Sequence, residues 1–214
     1  MKPKEKSQEQ VWDAIAPEWD EFKTSKPALH VLEFLKSQKG NILDLGSGSG
    51  RHLVKFKEDI ELKTRPKTPK RKYYLVDFSQ EMLNLAEKKA KKSKIPAEFI
   101  KAPLDKLPFE NNFFDGAICI SAIHCIPKKL HEKSVKELYR TLKPKAQALI
   151  GVWNINSKRF KNSKKEKLIA WREKGQRYYY LFDEAEVHEL FKKQKFKIIK
   201  TLNSEVMINF VVQK

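Results

Sequence analysis

Two acids and three glycines carry the sharpest chemical signal in this chain of 214 residues. The stretch Asn41-Ile-Leu-Asp-Leu-Gly-Ser-Gly-Ser-Gly50 opens with a short apolar run, Ile42, Leu43 and Leu45, of the kind that forms a buried parallel strand. Gly46, Gly48 and Gly50 follow at alternate positions, where the absence of Cβ lets backbone N–H groups approach a ligand closely. Asp44 stands at the strand end, placed to meet a ligand cation. Asp77 closes the next apolar run, Tyr73–Val76, with Phe78 beside it, and a carboxylate there can accept both hydrogen bonds of a ribose diol. A dinucleotide loop would want the spacing G-x-G-x-x-G, but position 51 is Arg.

The elements that must position these groups alternate regularly. Helices are expected over Gln8–Phe22 and Ala28–Ser37, then strand Asn41–Leu45, with helical character from Arg51 to Lys57. Strand Tyr73–Val76 and helix Gln80–Lys92 come next, then strand Ala97–Lys101 after Pro96 and strand Gly116–Ser121. Helix Leu130–Leu142, stopped by Pro144, precedes a fifth strand over Ala146–Val152. After a basic insertion, helix Asp183–Lys192 leads to a terminal hairpin of Lys197–Leu202 and Met207–Val212. This alternation specifies an α/β fold, a doubly wound, Rossmann-like parallel sheet with helices on both faces. The length suits one domain over 1–214, with N-terminal helices over 1–37 as a lid, a basic insertion at 61–72 and a substrate-side insertion at 154–182.

Composition narrows the classes. With 40% hydrophobic residues the chain can build a full core. No apolar run approaches membrane-spanning length and the start is polar rather than a signal peptide, so no membrane association is expected. Cys119 and Cys125 lack metal-site partners and read as small buried hydrophobes in a reducing cytoplasm; no metal is expected. Forty-five Lys and Arg against 27 Asp and Glu leave a net charge of +18, a field that attracts polyanions, nucleic acid first among them. Position separates the basic segments. Lys63–Lys72 carries six basic residues in ten with Pro66 and Pro69, and enters a strand from the edge opposite the glycine loop; it reads as a disordered insertion. Lys158–Lys167 follows the fifth strand and overhangs the ligand edge of the sheet. Lys158, Arg159, Lys161, Lys164 and Lys165 are therefore the candidates for phosphate contact.

The glycine spacing with its two acids resembles the E/D-x-G-x-G-x-G signature of class I S-adenosylmethionine (SAM) methyltransferases, which implies SAM as cofactor and a seven-stranded sheet whose last strand is antiparallel. The run Ala102–Phe109 with Asn111–Asp115 is similar to the same family's "D-a-x-x-L-P-F-x-x-x-x-F-D" block. Pro103 stands where relatives carry an acid, so the adenine edge falls to Asp105 or to the backbone at Leu104, and the Ser121 carbonyl is placed to receive the SAM ammonium. The segments Ile15–Trp19, Ser121–His124, Gln147–Trp153 and Arg177–Phe182 together look like the tRNA wobble-uridine methyltransferase family, which esterifies a 5-carboxymethyl group on the anticodon uridine. That resemblance implies tRNA as substrate and a small zinc-binding activator protein added at the sheet edge near Glu98–Lys101. A family arginine near the lid is Lys23 here, and Ile208-Asn-Phe210 replaces an Asp-Asn-Trp.

On this resemblance Arg177 is the clamp for the carboxylate or a neighbouring phosphate, His124 a donor to the uracil or carboxylate, and Trp153 a platform for a splayed-out base. A carboxylate is ionised at neutral pH and needs no general base, whereas a ring-nitrogen nucleophile would make His124 the candidate base. A small-molecule O- or C-methyltransferase and a non-catalytic SAM-fold RNA-binding subunit are the competing classes.

Overall fold

Strands whose successive side chains are apolar on both faces can be buried only between two layers of helices, and that is how this chain folds. The computed structural model describes residues 6–22, 26–57 and 70–214. Helices α1 (Gln8–Phe22) and α2 (Leu29–Ser37) precede β1 (Asn41–Leu45) and β2 (Lys72–Asp77). Then come α3 (Gln80–Ser93), β3 (Ala97–Lys101), β4 (Phe114–Ile120), α4 (Lys128–Thr141) and β5 (Leu142–Trp153). A hairpin of β6 (Glu166–Ala170) and β7 (Gln176–Tyr180) leads to α5 (Glu184–Lys193), β8 (Lys197–Thr201) and β9 (Met207–Gln213).

The main sheet has seven strands in the order β3-β2-β1-β4-β5-β9-β8. β3, β2, β1, β4 and β5 are parallel neighbours, whereas β9 runs antiparallel to both β5 and β8. The expected antiparallel last strand and terminal hairpin are therefore present. Leu43, Leu45, Tyr74, Val76, Ala117 and Cys119 pack on one face with Val135 and Leu138 of α4 and Val187 and Phe191 of α5. Ile42, Tyr73, Leu75 and Ile118 point the other way, against Val31, Phe34 and Leu35 of α2 and Leu83 and Ala86 of α3.

Four local expectations are corrected. Arg51 and His52 form a turn and Leu53–Phe56 is irregular; residues 58–69 of the basic insertion lie outside the described residues. Arg71, read as part of a disordered basic loop, is instead buried. Its guanidinium donates to the carbonyls of Leu35 (3.0 Å) and Gln38 (2.9 Å), satisfying acceptors that the end of α2 leaves open. α4 starts two residues earlier than expected and stops at Thr141, so Pro144 does not end the helix but lies within β5. The "basic insertion" after β5 contains the β6–β7 hairpin, turned at Gly175 and docked on α1. There the Tyr178 N–H donates to the Gln8 Oε1 (2.8 Å), and the Trp171 indole donates to Glu18 (2.8 Å).

Candidate active site

The carboxyl ends of β1, β2, β4 and β5 open onto one cavity of about 1010 Å³, mouth included, at the point where the strand order reverses beside β1. The glycine loop forms its floor. Gly48 has φ +52°, and a Cβ there would project into open space rather than against the protein. Its N–H donates to Asp77 Oδ2 (2.8 Å), while the Ser79 N–H donates to Oδ1 (3.0 Å), so the second acid is fixed against the loop by two backbone bonds. Burial nevertheless pushes the Asp77 carboxyl up to about 6, against the pull of those two bonds and with a further push from Asp44. Gly46 and Gly48 line the cavity, together with Asp77, Phe78, Leu104 and Ser121 of the expected cofactor set. Gly50 does not: its Cβ would meet Ala86 at 3.0 Å, so it serves the packing of α3 on the loop.

Asp44 also stops short of the cavity wall. It is buried, with Oδ2 3.3 Å from Nδ1 of His52, and His52 is the residue that reaches the cavity. Asp44 Oδ1, Ser47 Oγ and the Trp12 indole nitrogen are buried polar atoms with no partner. Such groups are costly to leave unpaired, and a polar ligand in this cavity would satisfy those of Ser47 and Trp12, which line it. Asp105 is corrected outright: its carboxylate turns to Lys133 Nζ on α4 (3.1 Å) and lies away from the cavity, leaving Leu104 as the contact from this block.

The wall beyond β4 and β5 is aromatic. Ser121 holds φ +60°, with its N–H donating to Gly151 O (2.8 Å) and its carbonyl accepting the Cys125 thiol (3.2 Å). That carbonyl keeps a second lone pair for a ligand. His124 is fully enclosed and accepts the Trp153 N–H at Nδ1 (3.0 Å). Burial pushes its pKa down to about 3, so the ring is neutral and the proton sits on Nε2. That tautomer is a donor, and the alternative of His124 as a general base is thereby corrected. Trp153 stacks on Tyr179 (4.3 Å between centroids) and on His124 (4.9 Å), while Arg159 lies 5.0 Å from its ring. A base can use Trp153 as a platform only where these neighbours give way.

Above the cavity α1 supplies Trp12 and Trp19. Its Asp13 accepts from the Ser79 hydroxyl (2.6 Å) and the Glu81 N–H (3.2 Å), locking the roof to the start of α3. Arg177 sits behind this roof. It is 6% exposed and surrounded by the rings of Trp12, Trp19, Trp171 and Tyr179 at 4.9–5.8 Å. Nη1 donates to the Tyr179 hydroxyl (2.7 Å), Nε has no partner, and no acid pairs with the group among the described residues. Burial raises the Cys125 thiol, as does Asp77, and the nearby Arg177 charge opposes it, which places the guanidinium within electrostatic reach of a cavity-lining residue.

Lys158, Arg159, Lys161 and Lys164 are exposed, and Arg159 lies over the ring of the cavity-lining Trp153. Lys165 is corrected: it is paired with Asp183 (3.1 Å) and Glu186 (2.7 Å) at the start of α5. Lys23 lies outside the described residues. The β3 edge is guarded rather than bare, because Lys72 pairs with Glu98 and Lys101 with Glu9. Among the described residues no cluster of metal-ligating side chains occurs, and no helix is long and apolar enough to cross a membrane. His52 is a site residue that the motif does not announce; its signal is an imidazole two residues past the glycines and eight past the strand-end acid.

Residues 42–145 match the family model described as a methyltransferase domain. The demethylmenaquinone methyltransferase of Protochlamydia amoebophila is 35% identical over 121 residues, covering 54% of this chain and 46% of that protein. The probable tRNA methyltransferase 9B of Bos taurus is 27% identical over 164 residues, 75% of this chain and 32% of that protein. The tRNA (carboxymethyluridine(34)-5-O)-methyltransferase of Arabidopsis thaliana is 29% identical over 146 residues, 67% of this chain and 31% of that protein. The chain thus spans between 31% and 46% of the length of these relatives. Among solved structures, the 1,6-didemethyltoxoflavin-N1-methyltransferase of Burkholderia thailandensis, with bound S-adenosylhomocysteine, superposes with a TM-score of 0.67 at 18% identity, over 96% of this chain and 86% of that one. A chain from the complex between the Haloferax volcanii Trm112 methyltransferase activator and the putative methyltransferase gives 0.66 at 18% identity, over 95% and 94%. The strand order and the reversed β9 are those of the class I methyltransferase fold, and the matched domain lies within it.

Proposed function

We propose that this chain methylates a carboxylate on tRNA, forming the methyl ester of a carboxymethylated wobble uridine. The observation that carries the reading is Arg177, a buried guanidinium with no acid partner among the described residues. Leaving a cation buried without a counter-charge is costly, and a planar carboxylate is the anion its fork fits. Trp12, Trp19 and Tyr179 pack on Arg177 and also line the cavity, so the anion site and the cofactor cavity share a wall. The exposed Lys158, Arg159, Lys161 and Lys164, of which Arg159 lies over the cavity-lining Trp153, suit a polyanion.

When bound, SAM supplies an electrophilic methyl group. Asp77, Phe78 and the Gly46–Ser49 loop would hold its nucleoside and methionine ends, with the Ser121 carbonyl and Asp44 on the cationic side. The chain's own contribution is to orient the nucleophile through Arg177 and the His124 Nε2–H and to exclude water with the α1 indoles; no residue need remove a proton. The tRNA-named relatives align over 75% and 67% of this chain and quinone-named ones over up to 70%, so the preference for tRNA rests on Arg177 and the exposed basic residues. A C-methyltransferase acting on a quinone precursor is the second reading, favoured by the 35% identity to the Protochlamydia protein and by the largely aromatic wall.

We also infer a small zinc-binding activator as partner, seated at the β3 edge, in keeping with the activator complex among the structural neighbours. The test incubates the protein, alone and with such an activator, with methyl-labelled SAM and either bulk tRNA or a demethylquinone. Label on tRNA that mild base releases as methanol is the expected result. Base-stable label, or label only on the quinone, would overturn the ester reading.

A further inference from the structure

We infer that His52 is a positioning residue for the amino-acid end of the cofactor, acting through Asp44. The inference rests on the reading of the cavity as the SAM site. Asp44 Oδ2 lies 3.3 Å from Nδ1 of His52, and because a carboxylate only accepts, Nδ1 must carry the proton. The other oxygen, Oδ1, is buried and has no partner. A carboxylate free to rotate would share its solvation between both oxygens; this one is held by one oxygen, which leaves the second, along with the Ser47 Oγ, as an unfilled acceptor at the glycine loop. Asp77, close enough for Asp44 to raise its pKa, adds a second negative group to the same region. Two acids and an unfilled acceptor specify a cation with N–H donors, which on SAM is the α-ammonium. His52 itself lines the cavity, so its ring also limits how far that end of the ligand can move.

The geometry gives His52 a signature that a packing role would not. The side-chain amide of Asn places its nitrogen near the position of Nδ1, that of Gln near Nε2, and Leu fills the space without a donor. Calorimetry would compare S-adenosylhomocysteine, which has the α-ammonium, with methylthioadenosine, which lacks the whole amino-acid end. His52→Leu should weaken S-adenosylhomocysteine about tenfold or more, in line with a lost hydrogen bond to a charged group, and leave methylthioadenosine within about twofold of wild type. His52→Asn should restore most of the loss, and His52→Gln, the milder change for packing, should not. Equal losses for both ligands, wild-type binding by His52→Leu, or an Asn variant no better than Gln would each overturn the inference. A wild-type protein that binds neither ligand would instead overturn the SAM-site reading on which it rests.

Discussion

Asp77→Asn removes the charge from the acid whose environment resists it most. Burial raises the carboxyl from 3.8 to about 6, although the Ser79 and Gly48 N–H groups pull it down. The folded protein therefore holds this proton more tightly than the unfolded chain. The contribution to stability is fully present below pH 3.8 and is lost as pH rises through about 6. At about 1.4 kcal/mol for each pH unit, that interval is worth about 3 kcal/mol. Asparagine does not titrate, and it can accept only one of the two backbone bonds without turning an amide N–H against the other. The variant should thus be less stable than wild type at low pH, and should gain on it by about 2–3 kcal/mol between pH 4 and pH 7. Urea unfolding of both proteins without cofactor, repeated across that window, measures the difference directly and cancels the other acids. With cofactor the sign reverses in consequence. Ribose hydroxyl donors favour the ionised carboxylate, so S-adenosylhomocysteine should bind wild type more tightly as pH rises to about 6 and then level off. The variant should bind about 1–3 kcal/mol more weakly and lack that rise. A stability difference that stays flat from pH 4 to pH 7 would refute the raised pKa and the reasoning built on it.

Arg177→Ala should lower turnover at saturating tRNA at least about tenfold, equivalent to about 1.4 kcal/mol in the barrier, with little change in tRNA affinity. Arg177→Lys should rescue poorly because a point charge lacks the planar fork; normal turnover by the alanine variant would remove the carboxylate clamp. Neutralising Lys158, Arg159, Lys161 and Lys164 together should weaken tRNA binding and flatten its log–log salt slope by about 0.7–0.9 for each phosphate that is no longer neutralised, whereas Lys165→Gln, already paired with acids, should leave the slope unchanged in filter-binding titrations. Arg71→Ala should cost about 2 kcal/mol in urea unfolding, since it strips the Gln38 carbonyl of its guanidinium donor and leaves the Leu35 carbonyl only the Gln38 N–H; a change under about 0.5 kcal/mol would mean water replaces it.

The central sheet was legible because its information is local: apolar runs of strand length, glycines at alternate positions and an acid at the end of each of the first two strands. What was not legible depends on partners distant in sequence. Arg71 looks like one more charge in a basic run until α2 brings its last carbonyls alongside. Asp105 looked available to a ligand, yet Lys133 claims it from 28 residues away. Lys165 sits in a basic stretch, and only the start of α5 discloses its two acids. The β6–β7 hairpin escaped because Lys and Glu dilute its alternation, although Gly175 and the three tyrosines marked its turn and second strand. Asp44 and His52 lie close in sequence, but an orphaned oxygen is a property of three dimensions alone.

The roof of the cavity joins the first and last thirds of the chain, through bonds that span 170 and 153 residues. During synthesis α1 leaves the ribosome more than 150 residues before its partner β7. Over that interval the indoles of Trp12 and Trp19 have no hairpin to pack on, and Arg177 has not been made. The glycine loop and Asp77 can assemble on the nascent sheet well before that. A nascent chain halted short of β7 would therefore carry the beginnings of a nucleoside-binding surface with neither its cover nor its buried cation, and competence for chemistry would arrive only as the final third docks.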